Sequence, residues 1–337
     1  MKTLTKNFNE GMKKILKKEK KILIVGHNNP DGDCIGASLA LYNLFKNASF
    51  PYLSVLMPSD MPDFLKWMPA AENIDIYEKG KSEKLIYGAD IIFYVDFNDT
   101  SRTEYFSEEL KKSNAVKIML DHHPEPSSEV DFIFSDTETS SASEVVYRFI
   151  GLAGLEKYID KDVSTCLFTG IMTDTLNFSV NSSKPETFRV VADLLSYGTD
   201  KDDIYDKVCN NFSEKRLRLV GYMVYEKMKT VSDLHYAYML ISKKELEKFD
   251  FKNGDHEGIV NMPLTVSGIN ISITAIEKDD FIKLSLRSKG DFDVNALSKK
   301  YFNGGGHKNA AGGRIYKPYN EAEQYITDSL REFLTNK

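Results

Sequence analysis

Carboxylates and imidazoles, the side chains that hold hard and borderline metal ions, gather at four places in this 337-residue sequence. His27, Asp31 and Asp33 share one short polar stretch, and Asp96 ends an apolar run. Asp121, His122 and His123 end another such run, and Asp174 lies in Thr173-Asp174-Thr175 after an apolar helical pattern. Donors of this kind suit manganese, magnesium, iron or zinc rather than a soft thiolate-type ion. Four aspartates brought together carry about four negative charges and repel one another strongly when nothing balances them. Two divalent cations balance that charge; one does not. A single aspartate at a strand end is ordinarily a turn or a helix cap, so it is the coincidence of these residues that carries weight.

The elements around them explain why they would meet. Ile22-Leu23-Ile24-Val25 is a short, continuously apolar and β-branched run, which predicts a buried parallel strand that stops at the polar loop 26–33. Residues 35–46 predict a helix packed back on the sheet. The pattern recurs with strands over 53–57, 74–77, 91–95 and 116–120 and helices over 62–68 and 104–112. Strands alternating with helices imply right-handed crossovers and a mainly parallel, doubly wound α/β sheet. Ligands of such sheets lie outside the carboxyl ends of the strands, so three of the polar clusters share one edge.

From residue 140 the pattern turns helical, over 142–153, 163–172, 186–197 and a long run 202–227. A hairpin over 271–277 and 281–286, a helix over 294–302, a glycine loop and a terminal helix over 321–334 follow. We expect an N-terminal domain over 1–200, a helical linker over 201–229 and a smaller α/β domain over 230–337. The composition, 42% apolar and 28% charged, suffices for sizeable cores. A net charge of −6 argues against tracking along duplex DNA, whose nonspecific affinity comes from lysine and arginine on phosphates. No apolar run approaches the roughly 20 residues of a membrane span. Asn7, Asn9, Glu10 and repeated lysines break any leader-like stretch, and three scattered cysteines (Cys34, Cys166, Cys209) fit a reducing cytoplasm. His235, His256 and Asp99 read as surface or locally bonded groups, and Trp67 as packing.

His27-Asn-Asn-Pro-Asp31-Gly-Asp33, Asp96, Asp121-His122-His123 and Asp174 resemble the motifs of the DHH phosphoesterase superfamily. The segment Gly304-Gly305-Gly306-His307-Lys-Asn-Ala310-Ala311-Gly312-Gly313 resembles the glycine-rich motif of the DHH-associated domain. Both resemblances together span most of the chain. They are nearest the compact NrnA-like branch of oligoribonucleases that also hydrolyse 3′-phosphoadenosine 5′-phosphate. The resemblance implies that His27, Asp31 and Asp96 hold one ion, and Asp33, Asp96, His122 and Asp174 the other, with Asp96 shared. It implies two divalent ions, commonly Mn²⁺, and in-line attack on phosphorus by a hydroxide between them. Asp121 is then expected to orient a neighbouring histidine, and His123 to face the substrate. Arg287 and His307 are expected to bind its phosphate.

A glycine triplet alone is most simply a turn, although successive N–H groups can also form an anion nest. Arg287 offers a rigid donor fork for phosphate oxygens; Asn261 and Lys308 are weaker candidates. The expected substrate is a short single-stranded oligonucleotide, a linear dinucleotide or a small 3′-phosphonucleotide, with no membrane partner and a homodimer allowed. The alternatives are an exopolyphosphatase or pyrophosphatase on the same centre, or a noncatalytic nucleotide sensor.

Overall fold

The computed structural model describes residues 6–252 and 254–335 and divides into two compact units, one ending at Asn211 and the other starting at Phe212. After helix α1 (Lys6–Ile15), the first unit is built on strands β1 (Ile22–Val25), β2 (Leu53–Met57), β3 (Ile74–Ile76), β4 (Ile91–Val95), β5 (Val116–Asp121) and β6 (Phe132–Ser135). Their order is β3-β2-β1-β4-β5-β6, and every pairing is parallel. The mainly parallel sheet expected from the sequence is therefore wholly parallel. Strand order reverses direction between β1 and β4, where sheets of this kind open a crevice.

Burial on both faces explains the continuous apolar runs. Ile22 and Ile24 pack into one core with Phe93, while Leu23 and Val25 pack into another with Tyr94. Helices α2 (Gly32–Asn47), α5 (Ala142–Ala153) and α6 (Lys161–Asp174) contribute to the first core, and α3 (Glu83–Gly88) and α4 (Ser107–Lys112) to the second. Helices α7 (Pro185–Ser196) and α8 (Lys201–Cys209) complete the unit.

Two expected helices are shorter than their sequence pattern. The span 62–68 forms only a 3₁₀ turn, Asp63–Leu65, between Pro62 and Pro69. The span 104–112 becomes helical only at Ser107, because Glu104 takes a φ of 50°. The run 202–227 is not one helix. It breaks after Cys209, and α9 (Glu214–Tyr222) restarts at Ser213, whose side chain accepts from Arg216 N.

In the second unit, β7 (Met228–Val231), β8 (Tyr236–Ile241), β9 (Ile271–Glu277), β10 (Ile282–Ser288), β11 (Gly305–His307) and β12 (Ala310–Ile315) form a mixed sheet, ordered β11-β12-β10-β9-β8-β7. The β9–β10 hairpin is present, closed by Lys278 N donating to Phe281 O at 2.9 Å. Helices α10 (Lys243–Glu247), α11 (Val294–Tyr301) and α12 (Tyr319–Thr335) complete it. Among the described residues no helix is long and apolar enough to cross a membrane.

Candidate metal centre

The carboxyl ends of β1, β4 and β5 and the end of α6 bring His27, Asp33, Asp96, His122, His123 and Asp174 together. At the end of β1, His27 Nδ1 lies 2.9 Å from Asn28 O. A carbonyl only accepts, so Nδ1 carries a hydrogen and Nε2 is the ring atom turned toward Asp96. That Nε2 lies 3.4 Å from Asp96 Oδ2.

Asp33 sits in the first turn of α2, 1% exposed. Its oxygens accept from Ala142 N at 2.6 Å and Ser143 N at 2.9 Å, the first amides of α5. A helix N-terminus favours a carboxylate there. The start of α5 is in turn held by buried Glu144, which accepts from Ser140 N (3.0 Å), Ser140 Oγ (2.6 Å) and Thr187 Oγ1 (2.9 Å) and pairs with Arg148. Close approach is built in at Gly170 of α6, where a Cβ would lie 2.8 Å from Asp33 Oδ1.

Asp96 has a φ of 62°, unusual for a residue with a side chain. Backbone held this way costs on the order of 1–3 kcal/mol and persists where surroundings over-determine it. Asp96 is 2% exposed, and its Oδ1 accepts no hydrogen bond. That oxygen faces His122 Nε2 at 3.5 Å and His123 Nδ1 at 3.7 Å. His122 Nε2 is also 3.8 Å from Asp174 Oδ2 and 3.9 Å from Asp33 Oδ2. These separations exceed hydrogen-bond length, yet the donors converge. Buried Asp121 accepts from His123 N at 3.1 Å and lies 2.8 Å from its Nδ1, fixing that ring's tautomer with Nε2 as the acceptor.

Protons balance the charge here. Burial and the neighbouring carboxylates of Asp96 and Asp174 raise Asp33 well above the usual range. Burial lifts Asp174 to about 6, although His122 works against that shift. Burial also opposes charge on Asp96 and His122, but their mutual contact wins. Asp96 is held well below the usual range by His122 and His27, and His122 is pushed up to about 10 by Asp96, Asp174 and Asp33. A site that must collect protons on imidazoles to sustain its carboxylates is one that divalent cations can enter by displacing them. The orphaned Asp96 oxygen and this donor set fit such ions.

Not every expected ligand converges. Asp31 is exposed and caps α2, its Oδ1 accepting from Asp33 N (3.0 Å) and Cys34 N (3.1 Å). Three donor groups form among these residues: Asp33, His122 and Asp174; Asp96, Asp121 and His123; and His27, Cys34 and Asp96. Cys34 stands where Asp31 was expected. Sequence reasoning passed over it, as it did the α5 amides; the pattern Ser141-Ala-Ser-Glu144 was the available signal for that helix start.

In the second unit, Arg287 lies on β10 with Nη1 donating to Leu286 O at 2.9 Å. Gly304 precedes β11, whose Gly305, Gly306 and His307 pair with Gly312, Ala311 and Ala310. Gly306 N donates to Asn295 Oδ1 at 3.0 Å, so this amide is engaged within the unit. Lys308 pairs with Asp291, and Asn261 lies in the 3₁₀ segment Ile259–Thr265. Asp99, His235 and His256 make the local bonds expected of them, to Ser101 N, Gly268 O and Lys283 Nζ. Trp67 packs against the first core and donates to Phe64 O.

Residues 21–171 match the DHH family, N-terminal domain, and residues 233–336 match the DHHA1 domain. The bifunctional oligoribonuclease and PAP phosphatase NrnA of Bacillus subtilis is 26% identical, over 91% of this chain and 93% of that protein. The Thermus thermophilus protein of the same name is 29% identical, over 93% of this chain and 90% of that protein. The crystal structure of an exopolyphosphatase-related protein from Bacteroides fragilis is 40% identical with a TM-score of 0.93, covering 99% of this chain and 98% of that one. RecJ from Thermus thermophilus, solved with Mn²⁺, shares the fold at 10% identity and a TM-score of 0.58, over 98% of this chain and 54% of RecJ. The chain belongs to the DHH family of phosphoesterases, a DHH domain followed by a DHHA1 domain.

Proposed function

We propose that this chain hydrolyses short oligonucleotides, including linear dinucleotides, to mononucleotides, and 3′-phosphoadenosine 5′-phosphate to AMP, in a divalent-metal-dependent reaction. The observation that carries the reading is Asp96, a buried carboxylate on strained backbone whose Oδ1 has no hydrogen-bond partner and faces two imidazoles. The substrate class rests on the NrnA relatives, which align over about nine-tenths of their length.

Asp33, Asp96, His122 and Asp174 would hold one ion, and His27 and Asp96 the other, with Asp31 assigned there by the family resemblance. Bound there, two divalent ions, manganese in our assignment, supply the positive charge that neutralises the aspartates and polarises a phosphoryl group. The protein's own groups do the rest. His123, its Nδ1–H fixed on Asp121, presents Nε2 as the atom that can hold a proton for the leaving oxygen. Arg287 offers its planar fork to the phosphate, with Gly304, Gly305, Gly306 and His307 assigned to the same task. Residues 1–200 are the catalytic part in this reading, joined through 201–229 to a substrate-holding part, 230–337. The two fully buried thiols Cys34 and Cys166, both unpaired, suit a reducing cytoplasm.

The Bacteroides fragilis likeness favours a second reading, hydrolysis of polyphosphate on the same centre. Parallel manganese-supplemented assays with RNA oligomers of two to about twenty nucleotides, 3′-phosphoadenosine 5′-phosphate and tripolyphosphate decide between them. Preferential turnover of the shortest oligomers or of the phosphonucleotide supports the proposal, and preferential release from tripolyphosphate overturns it. Saturable nucleotide binding without metal-stimulated turnover points to a sensor instead.

A further inference from the structure

We propose that Cys34 supplies a sulfur donor to the ion position lined by His27 and Asp96, biasing that position toward borderline ions such as Zn²⁺, Co²⁺ or Fe²⁺. The inference rests on the metal-centre reading above and adds a ligand that the DHH resemblance does not supply. Its geometric basis is that one ligand atom each of His27, Cys34 and Asp96 lie within 4.8 Å of one another, all three residues being buried. Independently of the cysteine, the Asp96 carboxylate, 2% exposed, reaches the same space through Oδ2, which lies 3.4 Å from His27 Nε2. Meanwhile Asp31, the expected oxygen donor, commits Oδ1 to the first amides of α2.

The backbone seats the sulfur. Gly26 ends the run of β1 without a side chain, and a Cβ there would overlap Cys34 Sγ. Cys34 N is fixed on Asp31 Oδ1 at 3.1 Å, which sets the first turn of α2. His27 Nδ1 is occupied by Asn28 O, which leaves Nε2 as this ring's ligand atom. An imidazole, a carboxylate and a thiolate around one ion form a mixed set that zinc and cobalt accept and magnesium does not favour. Coordination proceeds as thiol plus M²⁺ giving the metal thiolate and one proton. The S–H bond breaks, the S–metal bond forms, the proton leaves to solvent, and nothing is oxidised. Neither other cysteine can substitute. Cys166 lies within α6 beside Asn43 Nδ2 at 3.9 Å, and Cys209 ends α8.

The test is optical and uses the full chain loaded with Co²⁺. The wild type should show d–d bands together with an intense near-ultraviolet sulfur-to-cobalt charge-transfer band. Cys34→Ser should keep the former and lose the latter, while Cys166→Ser with Cys209→Ser keeps both. In calorimetric titration, Cys34→Ser should weaken Zn²⁺ at one position by about tenfold or more and leave Mg²⁺ within about twofold. Should the variants misfold, X-ray absorption on the Zn²⁺-loaded wild type suffices, with a sulfur scatterer at about 2.3 Å expected. Cobalt d–d bands without charge transfer, or a zinc shell of nitrogen and oxygen alone, overturn the sulfur ligand and leave the metal centre standing. Failure to bind cobalt or zinc at all overturns both.

Discussion

Replacing Asp96 by asparagine exchanges one carboxylate oxygen for an amide nitrogen at the point where the proposed ion positions meet. The backbone tolerates it, since asparagine is among the residues that adopt a φ near the 62° found here. The metal-free fold should survive too. Removing one partner of a buried ion pair costs roughly 3–5 kcal/mol, but His27 and His122 can release their protons and the repulsion on Asp33 is relieved, so the net falls below that range. Turnover should not survive. Loss of one preorganised electrostatic contact to a transition state costs about 3–4 kcal/mol. Asp96 lies 3.4 Å from His27 on one side and 3.5 Å from His122 on the other, so both ion positions lose a donor together. Two such losses sum to about 6–8 kcal/mol, or about 10⁴-fold or more in kcat/KM. The assay is kcat/KM on a dinucleotide at saturating manganese, with circular dichroism and a thermal melt on the same sample. A folded variant within about tenfold of the wild type refutes the shared role of Asp96.

Three further outcomes follow from the same geometry. Gly170→Ala should lower stability by about 1–3 kcal/mol and weaken metal uptake, because a Cβ crowds Ser143 and Asp33 Oδ1; an unchanged melt and metal titration contradict this. Arg287→Ala should cut kcat/KM by about 10²–10³ with metal stoichiometry intact, and unchanged kinetics on phosphonucleotides would remove Arg287 from substrate binding. His256 is lowered to about 3 by burial and by the charges of Lys283, Lys278 and Arg216. A depressed histidine contributes stability that is present above the unfolded pKa near 6.5 and lost as pH falls toward 3, at about 1.4 kcal/mol per unit. Acid melts of His256→Gln should therefore be flatter with pH than those of the wild type, and parallel slopes would contradict that.

The strand ends were legible because a fully buried parallel strand needs an unbroken apolar run, and Ile22–Val25 and Ile91–Val95 are such runs with a polar stop after each. From that alone His27, Asp96 and His122 fall on one edge. What supports them was hidden. Asp33 is held by amides 109 and 110 residues away, a distance no local spacing encodes. Asp31 also caps α2 through Oδ1, a local contact that the same short side chain makes in its loop. Strand β12 reads Ala-Ala-Gly-Gly-Arg-Ile, a composition of low strand propensity that forms because its partners supply the ladder. The run 202–227 carries helical spacing throughout, and only the Ser213 cap reveals the second start.

Manganese-soaked crystals measured at the manganese absorption edge test the metal centre most directly. Two anomalous peaks among His27, Asp33, Asp96, His122 and Asp174, with Asp96 between them, are the predicted result. Anomalous density absent from that cluster under saturating manganese would contradict it.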